Sequence, residues 1–273
     1  MTFADAIGLR RGDTLALVGA GGKTTLTILI GLELLARGEP VVCCATTMTL
    51  LPAPHPRVRV VYAEHEDAAQ AVAEAYASQQ LPWVAGRPSD QHDPNCRART
   101  RLAQPIALTD AKIAGVSPAE IDRIRAALPQ AILILEADGA RHRWLKAPAE
   151  HEPQLPASTT ILAPVAHLGV IGKPLGEEHV HRPERVARIL GVALETPLTP
   201  KMVAAILTHP DGGMKGWRPG MRFTPILTLA APDAADSAAA ETCQALLAHA
   251  HVGQVILAWL GEEQPWMRVV SRE

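Results

Sequence analysis

The chain reads as an α/β protein with a mainly parallel β-sheet flanked by helices. Short apolar runs alternate with helical patterns along it, as βαβ units require. The run Ala131-Ile132-Leu133-Ile134-Leu135 is apolar throughout, as a central parallel strand covered on both faces must be. A glycine-rich turn, Gly19-Ala20-Gly21-Gly22, separates the first apolar run from the first helical pattern.

The bulk numbers are consistent with that class. A length of 273 residues suits one large α/β domain or two modest ones. No composition break marks a linker and no internal repeat occurs, so a single domain over residues 1–273 is expected. Apolar residues make up 48% and charged residues 20%, which allows a sizeable core and excludes disorder as the main state. Aromatics are only 3%, so the core volume must come from Leu, Ile, Val and Ala. The net charge of −2 gives no whole-chain footprint for nucleic acid or anionic lipid, and neither is expected as a partner. The opening Met1-Thr2-Phe3-Ala4-Asp5-Ala6 lacks a basic segment followed by an apolar one, and no run approaches the ~20 apolar residues of a spanning helix. A cytoplasmic location is expected. Cys43, Cys44, Cys96 and Cys243 form no C-x-x-C pair and read as buried thiols in a reducing compartment.

In chain order, Thr14–Val18 is the first expected strand, Thr24–Arg37 a helix ended at Gly38, and Val41–Ala45 the second strand. Val58–Tyr62 is a strand, Asp67–Gln80 a helix, and Leu81–Gly86 a short strand. Residues 87–104 are polar and rich in turn formers, and read as a long irregular loop. Ser117 can cap a helix that Pro118 opens and Glu120 supports through a capping box, running to about Leu128. After the strand Ala131–Leu135, residues 139–157 read as a charged loop and Thr159–Val165 as a strand. Pro183–Leu190 and Pro200–Leu207 read as short helices. His209–Gly213 is a turn. Phe223–Leu229 and Gln254–Leu260 close the strand series, with an Ala-rich helix between them.

The segment Gly19-Ala20-Gly21-Gly22-Lys23-Thr24-Thr25 follows a strand and opens a helix, the context of a phosphate-binding loop. Glycines permit left-handed backbone angles and let N–H groups approach phosphates closely. The helix start adds the positive end of its dipole. Lys23 would reach the β- and γ-phosphates, and the Thr24 hydroxyl would ligate Mg²⁺. Ligands of this class are ATP or GTP. The general pattern G-x-x-x-x-G-K-[ST] would place a glycine at position 17, where Leu17 stands. The fit is to the shorter form G-x-x-G-K-T-T, which resembles the loop of Mur-type amide ligases and of the dethiobiotin-synthetase and MinD branch of P-loop proteins. The alternative is a glycine turn carrying a surface lysine.

The apolar strand at 131–135 runs into Glu136-Ala137-Asp138-Gly139. Carboxyl ends of parallel strands face the ligand crevice. There Glu136 or Asp138 can hold Mg²⁺ or orient a water, and the two would point the same way on continued strand geometry. The alternative is a pair of ordinary solvated carboxylates. Thr46-Thr47-Met48-Thr49 follows the second strand, and the Thr47 hydroxyl either joins Mg²⁺ coordination or belongs to a polar strand-to-loop transition. Arg141, His142, Arg143 and Lys146 could clamp phosphate or a second, anionic substrate. Their loop, too charged for a core, is expected to be a second-substrate or switch element and not part of the nucleotide base pocket, with Arg141 and Lys146 as its ligand-binding groups. His179-Val180-His181 has a spacing used by metal sites without an evident third ligand, and His181-Arg182-Pro183-Glu184 reads as a helix start. Lys215 either reaches an anion or decorates a turn.

Several segments together carry a resemblance: Val18–Thr25, Ala45-Thr46-Thr47-Met48, Glu136–Arg141, Leu145–Pro153, His181–Glu184 and Asp211-Gly212-Gly213-Met214-Lys215. The chain resembles the YqeC family, selenium cofactor biosynthesis or selenium-dependent hydroxylase accessory proteins, over roughly residues 15–235. The resemblance implies a P-loop NTPase-like fold and a role in maturing molybdenum hydroxylases, with such a hydroxylase or its maturation proteins as partners. Related P-loop proteins often read the base with an N-K-x-D run. Here the comparable run is Leu227–Asp233, which has Asp233 and lacks Asn, so ATP and GTP are not separated. Two functions are expected from the whole: a Mg²⁺-dependent NTPase or NTP-driven ligase or kinase, and a nucleotide-switched chaperone. Lys23, Glu136 and Asp138 are the expected catalytic groups, with Lys23 near the surface of the crevice.

Overall fold

A computed structural model describes residues 1–64, 67–92, 108–231, 237–261 and 265–272. Its elements in chain order are α1 (Phe3–Ile7), β1 (Thr14–Gly19), α2 (Lys23–Ala36), β2 (Val41–Ala45), β3 (Thr49–Pro52), β4 (Val58–Tyr62), α3 (Ala68–Ala77), β5 (Leu81–Ala85), β6 (Pro88–His92) and β7 (Leu108–Ile113). There follow α4 (Pro118–Ala127), β8 (Ile132–Glu136), β9 (Leu145–Lys146), β10 (Ile161–His167), β11 (Val180–His181), α5 (Pro183–Leu190), α6 (Pro200–Thr208), β12 (Arg222–Phe223), β13 (Ile226–Leu229), α7 (Ser237–Leu247), β14 (Gln254–Trp259) and β15 (Trp266–Ser271). The fold is α/β, with a large, mostly parallel sheet and flanking helices, compatible with a P-loop NTPase-like fold.

The chain divides into two compact units that interleave along the sequence. The first comprises residues 1–16, 24–137 and 154–160, and the second residues 17–23, 138–153 and 161–273.

In the first unit β8, β2, β5 and β4 are hydrogen-bonded neighbours, all parallel. Every residue of β2, β5 and β8 is buried, in keeping with sequences that are apolar on both faces except for Glu136 at the end of β8. Helix α3 packs on β4 and β5. Gly31, inside α2, costs about 1 kcal/mol of helix propensity relative to Ala. Its reason is contact: a Cβ there would lie 2.7 Å from Cys43 Sγ and 3.0 Å from Leu81, so only glycine lets the helix close on β2 and β5. Cys43 and Cys44 are free, buried thiols, and burial pushes Cys44 up to about 12. Cys96 lies outside the described residues. Ser117 caps α4 by accepting from the Glu120 N–H at 3.2 Å, but the Glu120 carboxylate pairs with Arg123 and does not close a capping box.

Part of residues 87–104 is not the irregular loop expected. β6 forms over Pro88–His92 and pairs antiparallel with β7, which pairs antiparallel with β3. This small sheet is largely exposed along β6, so its sequence carries no apolar alternation to reveal it. Residues 93–107 lie outside the described residues.

In the second unit β10, β13 and β14 run parallel, β12 pairs with β10, and β15 closes the sheet antiparallel to β14. Helices α6 and α7 pack on each other, α6 against β10 and α7 against β14. The two-residue strands β9 and β11 pair parallel, Leu145 with Val180 and Lys146 with His181. No helix among the described residues is long and apolar enough to cross a membrane.

Candidate functional site

In the second unit β1 ends in the glycine loop. Gly19, Gly21 and Gly22 have φ of 88°, 89° and 126°, a region that L side chains rarely adopt. Space excludes a side chain as well: a Cβ would lie 2.4 Å from Val165 O at Gly19 and 2.6 Å from His167 Cβ at Gly21. The loop therefore rests on the end of β10. Ala20 N–H donates to Val165 O at 2.9 Å, and Thr228 Oγ1 on β13 donates to Gly21 O at 2.6 Å. Helix α2 begins at Lys23 directly after Gly22, which itself has no side chain to cap the first turn.

Lys23 is 5% exposed rather than near the surface. Its Nζ donates to Gly19 O at 2.5 Å and pairs with Asp138 Oδ1 at 3.2 Å. Asp138 Oδ2 accepts from Gly19 N–H at 2.9 Å and pairs with Lys146 Nζ at 3.0 Å. Lys146 Nζ also pairs with Glu152 Oε2 at 2.9 Å and donates to Gly139 O at 2.6 Å. Glu152 Oε2 accepts from Ala149 N–H at 3.0 Å and from Arg182 Nη1 at 2.6 Å. The result is a ladder of alternating sign, buried from Lys23 through Asp138 and Lys146 to Glu152 and half-buried at Arg182. Burial pushes the Lys146 amine down from its usual value, opposed by Asp138 and Glu152. Burial would raise Glu152, but Lys146, the Ala149 N–H and Arg182 hold it at about 2.

This geometry corrects the expectation that the loop after Asp138 is too charged for a core. The Lys146 side chain is fully buried, because β9 draws Leu145 and Lys146 inside and two carboxylates compensate its charge. Arg141 is exposed, with φ of 45°, and is not one of the ladder's cations. Lys215 donates to Ala149 O at 2.5 Å and Glu150 O at 3.0 Å, so it fastens the segment carrying Glu152 rather than reaching an anion. Sequence reasoning missed Glu152 and Arg182 as site-linked charges. Both lie in quoted segments, but no spacing rule joins residues 30 apart across a loop.

A second cluster flanks the loop. Trp144 stacks between His167 (centroids 5.1 Å apart) and His179 (4.7 Å). His167 Nδ1 accepts from Gly169 N–H at 3.0 Å, and burial lowers this imidazole to about 4. His181, in β11, is lowered to about 4 by burial, with Arg182 and Lys146 adding to the effect. Among the described residues no group of three or more His, Cys, Asp and Glu is placed to hold a metal ion.

In the first unit the structure brings together Thr24 and Glu136. Thr24 Oγ1 donates to Glu136 Oε2 at 3.1 Å. Glu136 is 6% exposed, at the last position of β8. Thr25 is buried. Thr46, not Thr47, binds the end of β8: its N–H donates to Glu136 O at 2.9 Å, and its hydroxyl donates to Gln154 O at 2.8 Å. Thr47 stands half-buried in the bend beyond β2, its backbone against Gly115, and takes no part in the Thr24–Glu136 pair. Thr24 and Glu136 offer hard oxygens of the kind Mg²⁺ takes. In the run suggested for base reading, Leu227–Leu229 belong to β13, and Asp233 lies outside the described residues.

A strand, a left-handed glycine loop and a helix, set about a mostly parallel sheet, define an α/β protein compatible with the P-loop NTPase-like class. The family model described as "YqeC protein" matches residues 15–184, more than half of the chain, and the chain belongs to the YqeC family. It is similar to the "Uncharacterized protein YqeC" of Escherichia coli (strain K12), with 27% identity over 270 residues, covering 96% of this chain and 92% of that relative. No solved structure matches it.

Proposed function

We propose that the chain binds a nucleoside triphosphate, ATP or GTP, with Mg²⁺ through Gly19–Thr25, and acts in the cytoplasm as an NTPase or NTP-driven enzyme in the maturation of selenium-dependent molybdenum hydroxylases. One observation carries the nucleotide reading: a loop whose glycines have left-handed φ and no room for a Cβ leads straight into a helix, and Gly22 just before it has no side chain to occupy the helix start. Such a loop offers N–H groups and a helix dipole to phosphate oxygens, and Lys23 supplies the cation. Thr24, next in the chain, and its partner Glu136 would hold Mg²⁺, which supplies charge stabilisation on the phosphates. Arg141, exposed at the start of the following loop, remains a candidate for the second substrate. The maturation role, and a hydroxylase or its maturation proteins as partners, rest on what the sequence resemblance implies and on no feature of the site.

The reading of a nucleotide-switched chaperone is favoured by a separate observation. The ladder connects Lys23 without a gap to the loop 138–153 and on to Arg182, so a change at Lys23 reaches that loop through charge contacts. Turnover separates the two readings: a small molecule should stimulate an enzyme, and a partner protein should stimulate a chaperone.

A thermal-shift panel of ATP, GTP and their diphosphates with Mg²⁺ tests nucleotide binding, since a ligand of the native state raises apparent stability by mass action. A rise with at least one triphosphate is expected. No rise with any of them, confirmed by calorimetry, overturns the reading.

A further inference from the structure

Asp138 carries two ammonium partners where one would neutralise it: Lys23 at 3.2 Å on Oδ1 and Lys146 at 3.0 Å on Oδ2. It is 3% exposed, so bulk water does little to offset a lost partner. If Lys23 were its only cation, a ligand drawing Lys23 away would leave a bare carboxylate in the interior, a strongly unfavourable change. Lys146 cannot make the same move, because its side chain is fully buried and is also bound to Glu152 and to Gly139 O. Glu152 is fixed in turn by the Ala149 N–H and Arg182, and Lys215 holds the carbonyls of Ala149 and Glu150.

We propose that Lys146 is a positioning residue of the glycine loop: it stays on Asp138 when Lys23 leaves, and so frees Lys23 to move onto a phosphate. This rests on the nucleotide reading and goes beyond it, because it assigns the affinity of the loop partly to a lysine that touches no ligand. Loss of Lys146 tightens the hold of Asp138 on Lys23. Neutralising Asp138 removes that hold, and with it the need for Lys146. The signature is therefore a coupling between positions 138 and 146 that is read in nucleotide affinity.

The test is calorimetry of Mg²⁺-ATP and Mg²⁺-GTP on the full chain, with wild type, Lys146→Met, Lys146→Arg, Asp138→Asn and Asp138→Asn/Lys146→Met. Lys146→Met should lower affinity by about 10-fold or more, as expected when one partner of a buried pair is lost. Lys146→Arg, which keeps the charge, should recover most of that loss. Asp138→Asn and the double variant should bind alike, within about threefold. Equal affinity of wild type and Lys146→Met overturns the inference alone, as does a double variant 10-fold weaker than Asp138→Asn. The latter comparison decides even where Lys146→Met does not fold, since the double variant buries no bare carboxylate. A wild type that binds neither nucleotide overturns the phosphate reading, and the inference with it.

Discussion

Thr24 Oγ1 donates to Glu136 Oε2 at 3.1 Å, which ties the first turn of α2 to the last residue of β8. The two groups suit Mg²⁺ coordination and the orientation of a water. Glu136→Gln keeps the shape and an acceptor for Thr24 but removes the charge. It should lose hydrolysis by about 100-fold or more while keeping nucleotide affinity within a few-fold. Single-turnover hydrolysis beside calorimetric affinity checks this. Full retention of hydrolysis would move the role to Asp138 or leave the strand end structural.

Lys23→Ala should weaken triphosphate affinity by at least about 30-fold, since it removes a charge-assisted contact to phosphate. The burial of Lys23 changes what is expected of its stability. Its removal takes one partner from Asp138, but Lys146 and the Gly19 N–H stay in place. The loss in urea unfolding should therefore be modest, about 1–2 kcal/mol, below the cost of breaking an isolated buried pair. Unchanged ATP and GTP affinity would sink the phosphate-loop assignment.

Gly21→Ala combines two penalties. Its φ of 89° is unfavourable for alanine, and the new Cβ would lie 2.6 Å from His167 Cβ and 2.7 Å from His167 N. A destabilisation of about 2–3 kcal/mol is expected. Gly38→Ala is the control: φ is 71°, but nothing lies within 4 Å of the added carbon, so the loss should be smaller, about 1 kcal/mol. Equal losses in the two variants would mean that contact with β10 does not shape the loop.

How much of this was legible in the sequence depended on whether a signal was local. β2 and α5 have the bounds expected, because an apolar run after Pro40 and an opening proline before a closing glycine are local signals. β8 includes Glu136 and starts one residue later than expected. β15 was missed: it is half-exposed, carries Arg268 and lies beyond the last obvious apolar run. β9 is two residues long, with a lysine in it, and no periodicity can announce a strand whose charge is compensated from elsewhere. The glycine loop and the acidic strand end were visible for the same local reason. The ladder was not, because ion pairs such as Glu152–Arg182 join distant segments, and a sequence lists charges without saying which of them meet.

The ladder and its neighbours also fix how stability should depend on pH. His167 and His181 are each lowered to about 4 from 6.5, chiefly by burial. Between these values the unfolded chain binds protons that the folded chain does not, so stability is fully present above about 6.5 and is lost as pH falls towards 4. Glu152 is lowered to about 2 from 4.5, where Lys146, the Ala149 N–H and Arg182 outweigh burial. Its contribution, about 3 kcal/mol at most, is present above 4.5 and is lost as pH falls through 2. Acid should therefore act in two stages, first through the histidines and then through the carboxylate. Urea unfolding from pH 8 to pH 3 should show a slope beginning near 6.5. In His167→Gln that first slope should be shallower, because one of its sources is gone; His181 and, in the same direction, His249 remain. In Glu152→Gln the first slope should persist, and the gap in stability from wild type should narrow only below 4.5. A gap that narrows already between 6.5 and 5 would mean that Glu152 is not held down by its cations. The ladder would then not be charged as the distances of Lys146 and Arg182 imply.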